Sequence, residues 1–330
     1  MSARRRFLAA ARAAGVVAVA WGGLGQPDQA QGQDMKSVAV TAIVEHPALD
    51  AARDGIRDEL AAQGWEIGGN LEFVYESAQG NPAIAAQIAR QLVGAAPDVI
   101  VPISTPSAQA VVGATKDIPV VFTAVTDPLG ARLVESLEAP GGNVTGMSDL
   151  SPIGLHLDLV KEIMPEAARL GVIHNPGEAN SVTLLELIKL EAPLRGLAVV
   201  EAAAPRSSDV LAAAQSLVGR VDAIYVPTDN TVVTALEAII RVGTDNRLPV
   251  FAGDTDSVPR GAIAALGFNY YDLGRQTGKI VARVLDGEAP GAIEVQGIEI
   301  TELFVNPGAA KAMGIELPQA VIERAKMVVE

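Results

Sequence analysis

The chain has no cysteine. Disulfides and thiolate chemistry are therefore excluded, and so is lipid attachment, which needs a cysteine at a new N-terminus. Three dispersed histidines without cysteine give no metal-ligand spacing, so no metal and no cofactor are expected. Asp254 and Asp256 do not make a calcium loop, because nothing completes the spacing. No G-x-G-x-x-G follows a strand; the glycines of Gly141-Gly142-Asn143-Val144-Thr145-Gly146 are wrongly spaced for it. There is no phosphate loop of the G-x-x-x-x-G-K type and no G-x-S-x-G nucleophile elbow. Two carboxylates in a cleft can still do acid–base work, but nothing specific points to an enzyme. Aromatic residues are scarce, at 4%.

What is present is acidic and apolar. The formal charge of −14 argues against nucleic acid and anionic membrane surfaces as partners. The first residues read as an address. Arg4-Arg5-Arg6 precedes Phe7-Leu8 and an Ala/Val-rich run to about Leu24. That order fits an export signal over 1–32, by the general secretory or the twin-arginine route. Its removal leaves 21 basic and 38 acidic residues, a charge of −17. No second apolar stretch of spanning length follows, so a mature chain is expected free in a periplasm, without stable membrane insertion.

Hydrophobic residues make up 49% of the chain, with much Ala, Val and Gly. This suits parallel sheets buried on both faces under Ala-rich helices. The middle of the chain also repeats itself. Asp98-Val99-Ile100-Val101-Pro102 is echoed by Asp222-Ala223-Ile224-Tyr225-Val226-Pro227, and Ile118-Pro119-Val120-Val121-Phe122 by Leu248-Pro249-Val250-Phe251. Strand and helix signals alternate through both halves. Helices are expected over 48–63, 82–93, 107–115, 153–163, 180–194, 209–218, 232–242, 272–285 and 318–327. The reading is an α/β fold of two Rossmann-like lobes joined by three crossovers, the third near 299–302. The lobes are expected to be 35–147 plus about 270–300, and 148–269 plus about 301–330.

Ligands of open parallel sheets bind at the carboxyl ends of the strands. Candidate residues come from the loops there. The Ser104-Thr105 turn, with the free N–H groups of the helix it opens, suits a ligand carboxylate; ordinary N-capping is the alternative. Thr126-Asp127 and Asp254 occupy matching places in the two halves, and Asp254 or Asp229 suits a ligand ammonium, with turn formation the alternative. Thr228-Asp229-Asn230 matches Ser104-Thr105. Glu45 and His46 open the first turn, and Asn269 stands at the second crossover, where a hinge residue meets ligand; a plain turn is its alternative. His156, within a helix, reads as structural.

Several stretches carry a family likeness: VEHPALDAARDGIRDEL (44–60), PISTPSAQAV (102–111), FTAVTDPLGARLV (122–134), GGNVTGMSDL (141–150), PTDNTVVTAL (227–236) and GFNYYDLGRQTGKI (267–280). In these the chain resembles the ABC-transporter substrate-binding proteins of the tryptophan/tyrosine uptake type. The resemblance implies a periplasmic-binding-protein fold of type I and capture of a small solute, an aromatic amino acid first among them. It also implies delivery to a permease driven by a separate ATPase. It places Ser104, Thr105, Thr126, Asp127, Thr228, Asp229 and Asn230 on the cleft. A different solute (a branched amino acid, amide, nucleoside or sugar) or a sensor feeding a membrane kinase are the alternatives.

Overall fold

Short apolar runs bounded by polar residues become fully buried strands here, and the Ala- and Leu-spaced segments between them become the helices that cover both faces. The computed structural model describes residues 35–298 and 301–329. The expected export signal lies outside the described residues, as do 299–300 of the expected third crossover.

The first half runs β1 (Lys36–Ala42), α1 (Pro47–Ala62), β2 (Leu71–Ser77), α2 (Pro82–Ala95), β3 (Val99–Ile103), α3 (Thr105–Ala114), β4 (Val120–Val125) and β5 (Val144–Ser148). The second runs α4 (Ile153–Ile163), β6 (Arg169–His174), α5 (Ala179–Glu191), β7 (Ala198–Ala203), α6 (Val210–Leu217), β8 (Ala223–Val226), α7 (Asn230–Thr234), α8 (Leu236–Asn246), β9 (Val250–Ala252) and β10 (Ala264–Gly267). The tail adds α9 (Tyr270–Leu285), β11 (Gln296–Gly297), β12 (Glu302–Val305), α10 (Pro307–Ala312), α11 (Gln319–Glu323) and β13 (Met327–Val328).

Two sheets result, ordered β11-β5-β4-β3-β1-β2 and β13-β12-β10-β9-β8-β6-β7. Within them β2-β1-β3-β4-β5 and β7-β6-β8-β9-β10 have the same order, and every pairing in those two runs is parallel. The repeated sequence is thus a repeated lobe. The repeated aspartate has one job in both. Asp98 accepts from Ser37 N–H at 2.8 Å and from Lys36 Nζ at 2.9 Å. Asp222 accepts from Ala168 and Arg169 N–H at 2.9 and 2.8 Å. Each ties the start of one strand to its neighbour, at the sheet end remote from the strands' carboxyl termini. Each lobe has its own apolar core, one around Phe122, Ile100 and Leu60, the other around Tyr225, Leu157 and Leu170. His156 serves the second core: its Nδ1 lies 2.6 Å from the Tyr225 hydroxyl.

The chain passes from the first sheet to the second after β5, and after β10 it returns as α9. That helix packs on α1 with backbones touching. A Cβ on Gly274 would lie 2.1 Å from Ala52 O, and one on Gly55 2.2 Å from Tyr271 O. The next strand, β11, is in the first sheet and β12 is in the second, antiparallel to β10.

Three expectations differ from what is found. The helix at 232–242 is two helices, broken at Ala235 (φ −108°, ψ 26°). The β-branched run Thr231-Val232-Val233-Thr234 is a poor helix former, and Asp229 caps the short α7 separately. The helix at 318–327 shrinks to α11, because Met327 and Val328 pair with Phe304 and Val305 instead. Helix α10, capped by Asn306 on Ala309 N–H at 2.8 Å, is short enough to escape a periodicity reading.

Candidate interlobe binding site

The carboxyl ends of both sheets' strands meet across a narrow cavity. Its walls are His46, Ala48, Leu49, Ala124, Thr126 and Tyr270 from the first lobe, Asp149 at the first crossover, and Asn180, Thr228, Asn230, Val233 and Asp254 from the second. Its volume is about 330 Å³, open in part to solvent. Asn230 also walls a roomier chamber between Gln79-Gly80 and Pro205-Arg206-Ser207.

Five predicted residues thus line one cavity: His46, Thr126, Thr228, Asn230 and Asp254. Ser104 and Thr105 stand beside it rather than in its wall. They open α3, which approaches α5 of the other lobe, and Ser104 N–H bonds Thr123 O of β4 at 2.9 Å. Four predicted residues are elsewhere. Glu45 is exposed and meets only Gln79 Nε2, at 3.4 Å. Asp127 closes a turn onto Gly130 N–H at 2.8 Å. Asn269 is exposed and caps α9, accepting from Tyr271 and Asp272 N–H; it faces a solvent-open groove beside α9, away from the cavity. Asp229 is fully buried behind the cavity wall. It accepts from Asn175 N–H and Ser181 Oγ, both at 2.6 Å, and from Val232 N–H at 3.0 Å. It is not part of the cavity lining, so it is not placed to meet a ligand ammonium there. In each case the turn or cap chemistry of a short polar side chain wins over ligand contact.

Several buried polar atoms without a partner belong to the cavity wall: His46 Nδ1 of the first lobe and Asn180 Oδ1 and Thr228 Oγ1 of the second. Ser104 Oγ, Thr105 Oγ1 and Ser107 Oγ, at the start of α3, are likewise buried without a partner. Buried polar atoms are normally paired, so these are candidates to meet a ligand. Apart from the bonds of residues 148 and 149, at the first crossover, no side-chain hydrogen bond or ion pair joins the lobes across the cavity among the described residues. The cavity carboxylates have no cation in ion-pair contact among the described residues, although the charge of Arg260 reaches Asp254. Asp149 accepts from the Tyr270 hydroxyl at 2.8 Å and Thr126 Oγ1 at 3.0 Å. Asp254 accepts from Ser257 N–H at 2.9 Å and Ser257 Oγ at 2.7 Å. Neither forms an ion pair among the described residues, and burial pushes both carboxyl pKa values up. A cation entering the cavity would gain both partners. No cluster of His, Asp and Glu suited to a metal ion occurs among the described residues.

Backbone strain marks the same place. Ser104 caps α3 at φ 76°, ψ 159°, and its side chain makes no capping bond. That region is almost reserved for glycine and costs about 1–3 kcal/mol. Ala124, at φ 53°, sits where β4 slips register against β5. Changing Ser104 to glycine is therefore expected to stabilise the free protein by about 1 kcal/mol, about 2 °C in Tm, while weakening ligand binding several-fold through loss of one hydroxyl. Thermal melts with and without ligand check both signs; a lower Tm for the free variant would refute the strain.

Sequence reasoning missed Asp149, Asn180 and Tyr270 as polar wall residues. Each had a signal. Asp149 directly follows a strand of the first sheet, Asn180 opens the second-lobe counterpart of α1, and Tyr270 follows the second crossover.

Comparison with known proteins gives the family. Residues 37–329 match the family of ABC transporter substrate binding proteins. A tyrosine-binding protein of Clostridioides difficile (strain R20291) is 40% identical over 281 residues, 85% of this chain and 81% of that one. A Streptococcus pneumonia ABC domain in complex with L-Trp is 33% identical with a TM-score of 0.87, over 90% of this chain and all of that one. A ligand-free, open substrate binding protein of Clostridium difficile with adhesive properties is 38% identical but superposes with a TM-score of only 0.68, over 90% of this chain and 99% of that one. As a whole the chain thus superposes more closely on the L-Trp complex than on the open, ligand-free protein. Among the described residues no helix is long and apolar enough to cross a membrane. The chain belongs to the ABC transporter substrate binding protein family, which binds solutes rather than transforming them.

Proposed function

We propose that this protein captures an aromatic amino acid (tryptophan, tyrosine or phenylalanine) in the interlobe cleft and delivers it to an ABC permease in the periplasm. The carrying observation is that orphaned polar atoms line the cavity from both lobes, His46 Nδ1 on one side and Asn180 Oδ1 and Thr228 Oγ1 on the other. A zwitterion would bridge the two lobes. Its carboxylate would take the hydroxyls of Ser104, Thr105 and Ser107 at the start of α3. Its ammonium would take Asp254, with Asp149 nearby. Closure would then be stabilised only through contacts made when the lobes are together, and the closed shape is what a permease would read. The movement is a hinge between 35–147 plus about 270–300 and 148–269 plus about 301–330. The C. difficile tyrosine-binding relative and the L-Trp complex support the choice of ligand.

The test is a thermal-shift screen of the purified protein against the twenty amino acids, amides, nucleosides and sugars, followed by titration calorimetry. Tyrosine, tryptophan or phenylalanine is expected to raise the Tm in proportion to the logarithm of its concentration. A shift confined to another solute class would keep the binding role and discard the aromatic assignment.

A further inference from the structure

The amino-acid contacts above leave three orphaned atoms of the cavity wall unused, Asn180 Oδ1 and Thr228 Oγ1 of the second lobe and His46 Nδ1, the one on the first lobe. His46 has its Nδ1 sealed from solvent and without a partner. It stands at the N-cap of α1 yet makes no capping bond, so no local role holds the ring in place. Ala48 and Leu49, from the same turn as His46, together with Ala124 and Val233 are the apolar part of the lining. An aromatic ring bound in the cavity has its apolar surface there, with His46 next in sequence to Pro47-Ala48-Leu49. The second chamber offers no competing reader. Glu178 there accepts from Thr231 Oγ1 and Asn230 Nδ2, each at 2.6 Å, and Thr234 Oγ1 donates to Asn230 O at 2.6 Å. These four residues of its wall are thus already paired.

We infer that His46 Nδ1 accepts a hydrogen bond from a donor on the ligand's ring, the phenol O–H of tyrosine or the indole N–H of tryptophan, and thereby selects these over phenylalanine. The inference rests on the aromatic amino-acid reading and adds its specificity. The electrostatics fit. Burial, followed by the charge of Arg260 from the other lobe, lowers the His46 pKa to about 3. The imidazole is therefore neutral at pH 7 and keeps one nitrogen as an acceptor. A buried acceptor left unpaired by phenylalanine is the device by which a site rejects an analogue lacking a donor.

The experiment is titration calorimetry with tyrosine, tryptophan and phenylalanine on the wild-type protein, His46→Leu and His46→Asn. The wild type is expected to bind tyrosine and tryptophan about 10- to 100-fold tighter than phenylalanine. His46→Leu should cost the first two that factor and leave phenylalanine within about twofold. His46→Asn, whose Oδ1 comes near the place of Nδ1 and whose side chain suits an N-cap, should restore most of the preference. An equal loss on all three ligands would assign His46 to the shared amino-acid end and overturn the inference; so would no loss. If neither variant folds, the wild-type ratio decides, and a ratio near one overturns it. Wild-type protein that binds none of the three defeats the aromatic reading itself, whereas binding all three alike defeats only the role of His46.

Discussion

Replacing Asp254 with asparagine is expected to weaken tyrosine or tryptophan binding by about 100-fold or more, equivalent to roughly 3 kcal/mol. Asp254 lines the cavity, is 2% exposed, and has no ion-pair partner among the described residues. A ligand ammonium would be its counter-charge, in a setting where water cannot compensate for its loss. Asparagine keeps the shape. Its Oδ1 can accept from Ser257 N–H and its amide can donate to Ser257 Oγ, so the fold should survive and the loss should fall on affinity. The pH dependence follows. Burial raises the Asp254 carboxyl pKa in the free protein, and the ammonium binds the ionised form. Affinity is thus fully present above that raised pKa and is lost as pH falls through it. Calorimetry from about pH 8 down to about pH 5 should show weakening for the wild type and a flatter profile for the asparagine variant. An unchanged Kd would move the ammonium to Asp149, the other carboxylate in the wall.

Asp229→Ala is expected to cost about 3–5 kcal/mol of stability, against a much smaller direct effect at the ligand. This side chain joins the ends of β6 and β8 to the starts of α5 and α7. Its removal leaves Val232 N–H buried without its acceptor and leaves Asn175 N–H only the longer bond to Ser181 Oγ, at 3.1 Å. Asparagine is no rescue, because both oxygens accept backbone N–H groups and one would become a donor facing a donor. The carboxyl is raised to about 7, by burial first and then by the neighbouring charge of Glu178. The folded state thus holds this proton more tightly than the unfolded chain does. The resulting stability is complete below the ordinary carboxylate value of 3.8 and is lost as pH rises through about 7. Asp256, raised to about 6 by burial and by Asp254, has the same sign and should leave some slope in the variant. Urea unfolding between about pH 5 and about pH 8 measures both effects. A loss below about 1 kcal/mol would show that the hub is dispensable.

Much of the architecture was legible because its causes are local. Apolar runs of four to seven residues, glycine stops and proline starts set strands and helices within a few positions. The echo of Asp98 in Asp222 announced two copies of one lobe, and the structure adds that each aspartate clamps equivalent strand starts. Errors came where local preference was divided, as in the β-branched α7, or where pairing was remote, as in Met327 and Val328.

The sequence alone determined that this is a cysteine-free, acidic, doubled α/β chain, with polar loops at strand ends and family stretches along most of its length. These follow from composition, period and order, which need no third dimension. Tertiary structure alone decided which loop residues face the cleft. Asp254 and Asp229 are both aspartates after buried strands, yet one lines the cavity and the other is consumed by three donors behind it. Asp149 and Tyr270 are 121 residues apart and become partners only when α9 returns to the first lobe. Whether a short polar side chain meets a ligand or its own backbone depends on which donors the fold brings within 3 Å of it, and that is a property of the packed lobes.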